Sequence, residues 1–278
     1  MIRFRWSNFK KDGTPVIKDK EIERYAEAIL RDYKPDLLKK PGKINPVHFL
    51  ESYLGATVEY AYIYHQDGPG KIAGEAIFND DDTEVVFDED KGQWVNRKFS
   101  ANTVIINNKI MDDGKEGFAE FTHLHEGGHI FLHQTVFARH QETLFDLQSD
   151  DRPRAARCLR SCLESEGKAK LKTQEDFREH QANTFAATMA MPPSIFIPTA
   201  KELIKDFGFS SGVCIVPDWK ATLDWNDMID CRDYEIIEKL SDLFTGSRSA
   251  IRVQLQKHKL LMTETEFKKQ YSQKRLFI

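Results

Sequence analysis

The sequence predicts an α+β fold, with a small antiparallel sheet beside one long helix and a mostly helical C-terminal region. Three observations predict it. Apolar residues alternate through Val58, Tyr60, Tyr62 and Tyr64, the period of a half-buried strand. The period then becomes helical around His125-Glu126-Gly127-Gly128-His129. From about residue 198 the spacing is mostly helical, with a looser stretch near 208–233. The expected division is a domain over 1–200 and a helical subdomain over 201–278.

Taken in order, residues 20–34 carry Ile22, Tyr25, Ala26, Ile29 and Leu30 at helical spacing. Pro35 and Lys39-Lys40-Pro41-Gly42 break that helix. Pro46 to Leu54 suggests a second short helix, ended near Gly55. Ile72–Ile77, Glu84–Phe87 and Thr103–Ile106 read as further strands. The turn-rich stretches at His65–Gly70 and Asn79–Asp82 favour an antiparallel meander of three or four strands. Asp113 and Glu116 have capping-box spacing ahead of the motif helix. A helix is expected near 152–165, with Ala155, Cys158, Leu159, Cys162 and Leu163 as its buried stripe. Thr173 and Asp176 open another, which stops before Pro192-Pro193. Segment 234–261 reads helix, turn at Thr245-Gly246-Ser247, helix.

Composition narrows the function classes. The formal net charge is -4, so no chain-wide basic footprint for nucleic acid exists. Neither a signal-peptide core nor a run of apolar residues long enough to cross a membrane stands out. The four cysteines, Cys158, Cys162, Cys214 and Cys231, are ordinary for a reduced interior. A cytoplasmic location is expected.

His125 and His129 are four residues apart, so on a helix both imidazoles project from one face towards a single ion. Glu126 lies about 100° round the helix, beside the ion without being a ligand, where it can serve as general base. With 9 histidines in the chain, chance places only about 0.02 such motifs in a sequence of this composition. A catalytic Zn2+ takes three protein ligands and keeps one position open. Glu179 is the expected third ligand. Asn183, four residues on, is placed to accept a hydrogen bond from the outer nitrogen of a ligating imidazole. Ala186 and Ala190 continue the stripe, and alanines facing Gly128 would let two helices share one ion. Among other histidines, His133 lies on the face of His129 and is the strongest rival ligand, although it is expected to pack or to support a ligand. His123, His140 and His180 are expected at the surface.

Here the chain resembles the ImmA/IrrE-type metallopeptidases. Phe121-Thr122-His123-Leu124-His125-Glu126-Gly127-Gly128-His129 is similar to that family's R-F-T-x-x-H-E-x-G-H block. Glu179-His180-Gln181-Ala182-Asn183-Thr184-Phe185-Ala186-Ala187, closing at Met191-Pro192, is similar to its E-x-x-A-N-x-F-A-A…M-P block. A weaker likeness covers Leu243-Phe244-Thr245-Gly246-Ser247-Arg248-Ser249-Ala250 and Arg252. The resemblance implies a zincin-like fold with His125, His129 and Glu179 as zinc ligands and Glu126 as base. It also implies a sheet edge beside the motif helix, to which substrate adds as an extended strand. Members are typically bacterial or phage-borne, and several cleave or antagonise a helix-turn-helix repressor. Two departures stand out. Gly127 replaces a larger apolar residue, and glycine inside a helix costs about 1 kcal/mol relative to alanine. The gap between His129 and Glu179 is longer than usual. It carries Cys158 and Cys162, expected to be buried structural cysteines.

The resulting expectation is a zinc-dependent endopeptidase acting on a transcriptional repressor or similar regulator through a Glu126-activated water. The alternative is a zinc-containing anti-repressor that works by protein binding alone. Tyr60, Tyr62, Tyr64 and His133 are the candidates for oxyanion donor. Arg248, Arg252, Lys257 and Lys259 give the 234–261 segment some charge for nucleic acid, opposed by Glu235, Glu238 and Asp242. That signal is too weak to favour DNA binding.

Overall fold

A computed structural model describes residues 2, 4–68, 70–112, 116–138, 155–159, 171–219 and 232–272. Among the expected features, Asp113, His140, Cys162 and Cys231 lie outside the described residues.

The chain is mixed α+β. Helix α1 (Asp19–Tyr33) buries Ile22, Ala26, Ile29 and Leu30 on one face. At its start the Glu21 carboxylate accepts the Lys18 backbone N–H, satisfying one otherwise orphaned donor. Helix α2 (Pro46–His48) widens into a π-helical segment, Phe49–Leu54. This stops at Gly55, whose φ of 67° is left-handed, a conformation glycine adopts without steric cost.

The main sheet has strand order β1-β5-β2-β6, with β1 Thr57–Ala61, β2 Ile72–Ile77, β5 Thr103–Asn107 and β6 Ala155–Leu159. β1 and β5 are parallel; β2 is antiparallel to both β5 and β6. This corrects the expected meander. β3 (Asp82–Asp88) does not join the sheet but pairs with β4 (Gln93–Phe99), a strand whose mostly exposed residues carry little apolar signal. Asp88 holds the turn between them, accepting from the Lys91 backbone and side chain. The hairpin covers the outer sheet face through Ala61, Ile63, Ile72, Ile77, Val86, Phe99 and Ile105.

The inner face of the sheet carries α3 (Asn108–Asp112) and α4 (Glu116–Leu132) at its edge and across it. α4 is buried from Thr122 through Ile130 on every side, as expected of a helix enclosed by a sheet and other helices. A short α5 (Gln134–Phe137) follows. The expected helix near 152–165 is corrected: its described portion is strand β6. Ala156 and Cys158 face inward while Arg157 and Leu159 are exposed. A five-residue stripe fits either period, and the ladder to β2 settles it.

α6 (Gln174–Ala190) packs along α4. Its capping box is the one expected: Thr173 Oγ1 accepts the Asp176 N–H at 3.0 Å, and the Asp176 carboxylate accepts the Thr173 N–H at 2.7 Å. The remainder is α7 (Pro193–Asp206), β7 (Cys214–Val216), α8 (Arg232–Leu243), α9 (Arg248–Lys257), β8 (Leu261–Thr263) and α10 (Glu264–Ser272). One apolar cluster runs from Ile22 through Phe185 and Phe196 to Leu255 and Leu261. The basic residues of the last region are largely committed. Arg248 pairs with Glu238 at 2.7 Å, Lys257 pairs with Glu23 at 2.8 Å, and Arg252 is buried. No helix of the described residues is long and apolar enough to cross a membrane.

Candidate metal centre

The motif helix and α6 approach closely because both are stripped of bulk where they meet. A Cβ on Gly128 would lie 3.2 Å from the Cα of Ala182 and 3.3 Å from its carbonyl oxygen. Ala182, Ala186 and Ala190 are all buried, but it is Ala182, with Phe185, that meets Gly128, not the expected Ala186 and Ala190. Gly127 has its own reason: a Cβ there would lie 2.8 Å from Leu50 Cδ2 in the π-helical segment. The helix-propensity loss at Gly127 therefore permits close packing.

Across this contact His125, His129 and Glu179 converge. The two imidazole Nε2 atoms are 3.0 Å apart. Glu179 Oε2 is 3.3 Å from His125 Nε2, and Oε1 is 3.2 Å from His129 Nε2. Asn183 Oδ1 lies 2.9 Å from His125 Nδ1. His125, His129, Glu179 and Asn183 are therefore gathered where α4 meets α6, and the Glu126 side chain on α4 faces Gly74 of β2.

Hydrogen bonding assigns the imidazole tautomers. Gln181 Nε2 donates to the Pro15 carbonyl at 2.8 Å, so its Oε1 is the atom facing His133 Nε2 at 3.0 Å. That nitrogen must donate. Burial first, then neighbouring His129, holds His133 well below the usual histidine range, so its ring is neutral and Nδ1 is an acceptor. The 3.0 Å contact from His129 Nδ1 to His133 Nδ1 thus carries the His129 proton. Burial also lowers the His129 pKa, against the pull of Glu179. The His129 Nε2 lone pair then points inward. His125 Nδ1 likewise donates to Asn183 Oδ1, turning its own Nε2 lone pair inward.

Two lone pairs and a carboxylate facing one another repel unless a cation lies among them. Ligands about 2.0–2.1 Å from a tetrahedral zinc stand about 3.3 Å apart, close to the separations here. The donor set fits the ion. An overlapping group, His125, Cys158 and Glu179, has ligand atoms that all lie within 4.8 Å of one another, and this group could hold a metal ion.

Glu126 is fully buried, and neither carboxylate oxygen has a hydrogen-bond partner. Burial, then Glu179 and Glu75, pushes its pKa well above the usual value. An unsatisfied buried polar group costs about 1–3 kcal/mol, a cost that marks candidate functional groups. β2 makes room for it: a Cβ on Gly74 would lie 2.9 Å from Glu126 Oε1.

Several expectations change. His123 is buried, not at the surface, with Nδ1 2.6 Å from the Ala119 carbonyl oxygen and Nε2 3.1 Å from Tyr60 Oη. His180 does reach solvent, beside Asp19. His133 has both ring nitrogens committed and cannot donate to an oxyanion. Of the tyrosine candidates, Tyr60 has its hydroxyl engaged with His123 Nε2. Gln181, Gly74 and the placement of Cys158 beside His125 went unanticipated. Gln181 offered one signal, two residues beyond Glu179 on the same helix.

Comparison of the chain with protein-family models, with curated proteins and with solved structures finds no match.

Proposed function

We propose that the chain is a zinc-dependent endopeptidase using His125, His129 and Glu179 as ligands and Glu126 as general base. The observation that carries this is the convergence of the two imidazole Nε2 atoms and the Glu179 carboxyl group, beside a second carboxyl with no hydrogen-bond partner. Zinc held there would supply Lewis acidity to polarise a carbonyl and acidify water. The chain's own part is orientation and proton handling. Asn183 and His133 hold the imidazoles in the ligating tautomer. Glu126 takes a proton during attack and returns it to the leaving amine. The proposed substrate is a transcriptional repressor or similar regulator, supported by the resemblance to ImmA/IrrE-type peptidases.

Glu126→Gln tests the chemistry. The variant should retain zinc and fold but lose cleavage of an unstructured protein such as casein. Undiminished cleavage would reject the role of Glu126. The complete burial of Glu126 favours one rival, an anti-repressor that only binds. The same variant separates the two, because full biological output from Glu126→Gln would mean that binding suffices.

A further inference from the structure

Without β6, β2 would be the free edge of the main sheet, antiparallel to its neighbour and lying against the motif helix. Such an edge is where an extended peptide adds by backbone pairing. β6 takes that place from within the chain, antiparallel to β2, with Glu75 opposite Arg157 and Gly74 opposite Cys158. Its two faces then meet two different sets of groups.

On the inner face, Cys158 has its sulfur within 4.8 Å of ligand atoms of His125 and Glu179. It stands over the motif helix where Glu126 lies buried without a hydrogen-bond partner. On the outer face, Arg157 Nε donates to Glu75 Oε1 at 2.7 Å, and its guanidinium also reaches Glu84. Glu75 and Glu84 are buried, whereas about half of the Arg157 side chain is exposed. The pair of carboxyl groups therefore forms a site that a basic side chain can enter from solvent. Burial and Glu84 raise the Glu75 carboxyl against the pull of Arg157, so the pair resists carrying two negative charges.

We propose that β6 is an internal occupant of the substrate edge, with Arg157 in an acidic subsite and the Cys158 thiolate as fourth metal ligand. This rests on the peptidase reading and adds its regulation and substrate class. Substrates carry an arginine or lysine at the strand position of Arg157. When the metal binds through Cys158, the thiol proton goes to solvent. When β6 leaves, the sulfur is reprotonated and the fourth position opens. The thiolate, unlike a carbonyl, offers nothing to hydrolyse, so the strand is held and not cut.

The test uses the full chain loaded with Co2+ in place of zinc. Wild type should show near-ultraviolet thiolate-to-cobalt absorption, and Cys158→Ala and Cys158→Ser should both lose it while keeping the metal. Both variants should cleave an unstructured protein several-fold faster than wild type when zinc-loaded. Peptides with Arg or Lys should be preferred to the same peptides with Gln, and Glu84→Gln should erase that preference. Unchanged absorption in both Cys158 variants overturns the proposal, as does stoichiometric cobalt in wild type without a thiolate band. Indifference to the basic residue overturns the subsite. Failure of wild type to take up cobalt would instead reject the metal reading on which the proposal rests.

Discussion

His129 Nδ1 lies 3.0 Å from His133 Nδ1, and this contact decides which nitrogen of His129 faces the site. Beyond it, His133 Nε2 meets Gln181 Oε1, and Gln181 is anchored on the Pro15 carbonyl. One backbone carbonyl near the N-terminus thus orients the His129 imidazole on the motif helix. Removing such a supporting contact typically lowers metal affinity about 10–100-fold. Gln181→Leu should therefore weaken zinc binding by that order while leaving the fold intact. Competition with a calibrated chelator measures it, and wild-type affinity would contradict the relay.

Gly74 faces Glu126, with only 2.9 Å between a built Cβ and Oε1. Gly74→Ala should destabilise the chain by about 1–3 kcal/mol, the usual cost of overpacking, as read by denaturant unfolding. Glu126→Ala in the same background should recover part of that loss, because it removes the atom that is struck.

Gly128→Ala acts at the other contact. Its methyl would meet Ala182 backbone 3.2–3.3 Å away, and backbone yields less readily than a side-chain end. The helices must separate, carrying Glu179 away from the imidazoles. Zinc affinity should fall together with stability, whereas Gly127→Ala, which meets the flexible end of Leu50 first, should cost stability and spare zinc. Calorimetric titration of both variants distinguishes them.

Glu75 makes the metal-free chain pH-sensitive. Burial first, then Glu84, pushes its carboxyl up to about 8, against the pull of Arg157. The folded state therefore keeps a proton that the unfolded chain releases near 4.5. This contribution to stability is fully present below about 4.5 and lost as pH rises towards 8. Across that window wild type should lose stability relative to Glu75→Gln, by at most about 1.4 kcal/mol per pH unit. Parallel unfolding curves for the two would contradict the assignment.

What could be read from the sequence was local. The four-residue step from His125 to His129 places two imidazoles on one helical face. Thr173 and Asp176 cap α6 over three residues. What could not be read was pairing over distance. β4 is mostly exposed, so nothing in its apolar pattern announced that it would draw β3 out of the sheet. β6 spans five residues, too few to separate strand from helix by period. The link from His133 to Gln181 crosses 48 positions, and two polar side chains that far apart leave no periodic trace.

The most direct test of the account is the zinc content of the full chain and of His129→Ala and Glu179→Ala, measured by mass spectrometry after reconstitution and desalting. The account predicts one tightly held zinc per wild-type chain and its loss or severe weakening in each variant, with the fold retained by circular dichroism. Undiminished zinc in Glu179→Ala, or none in wild type, would contradict it.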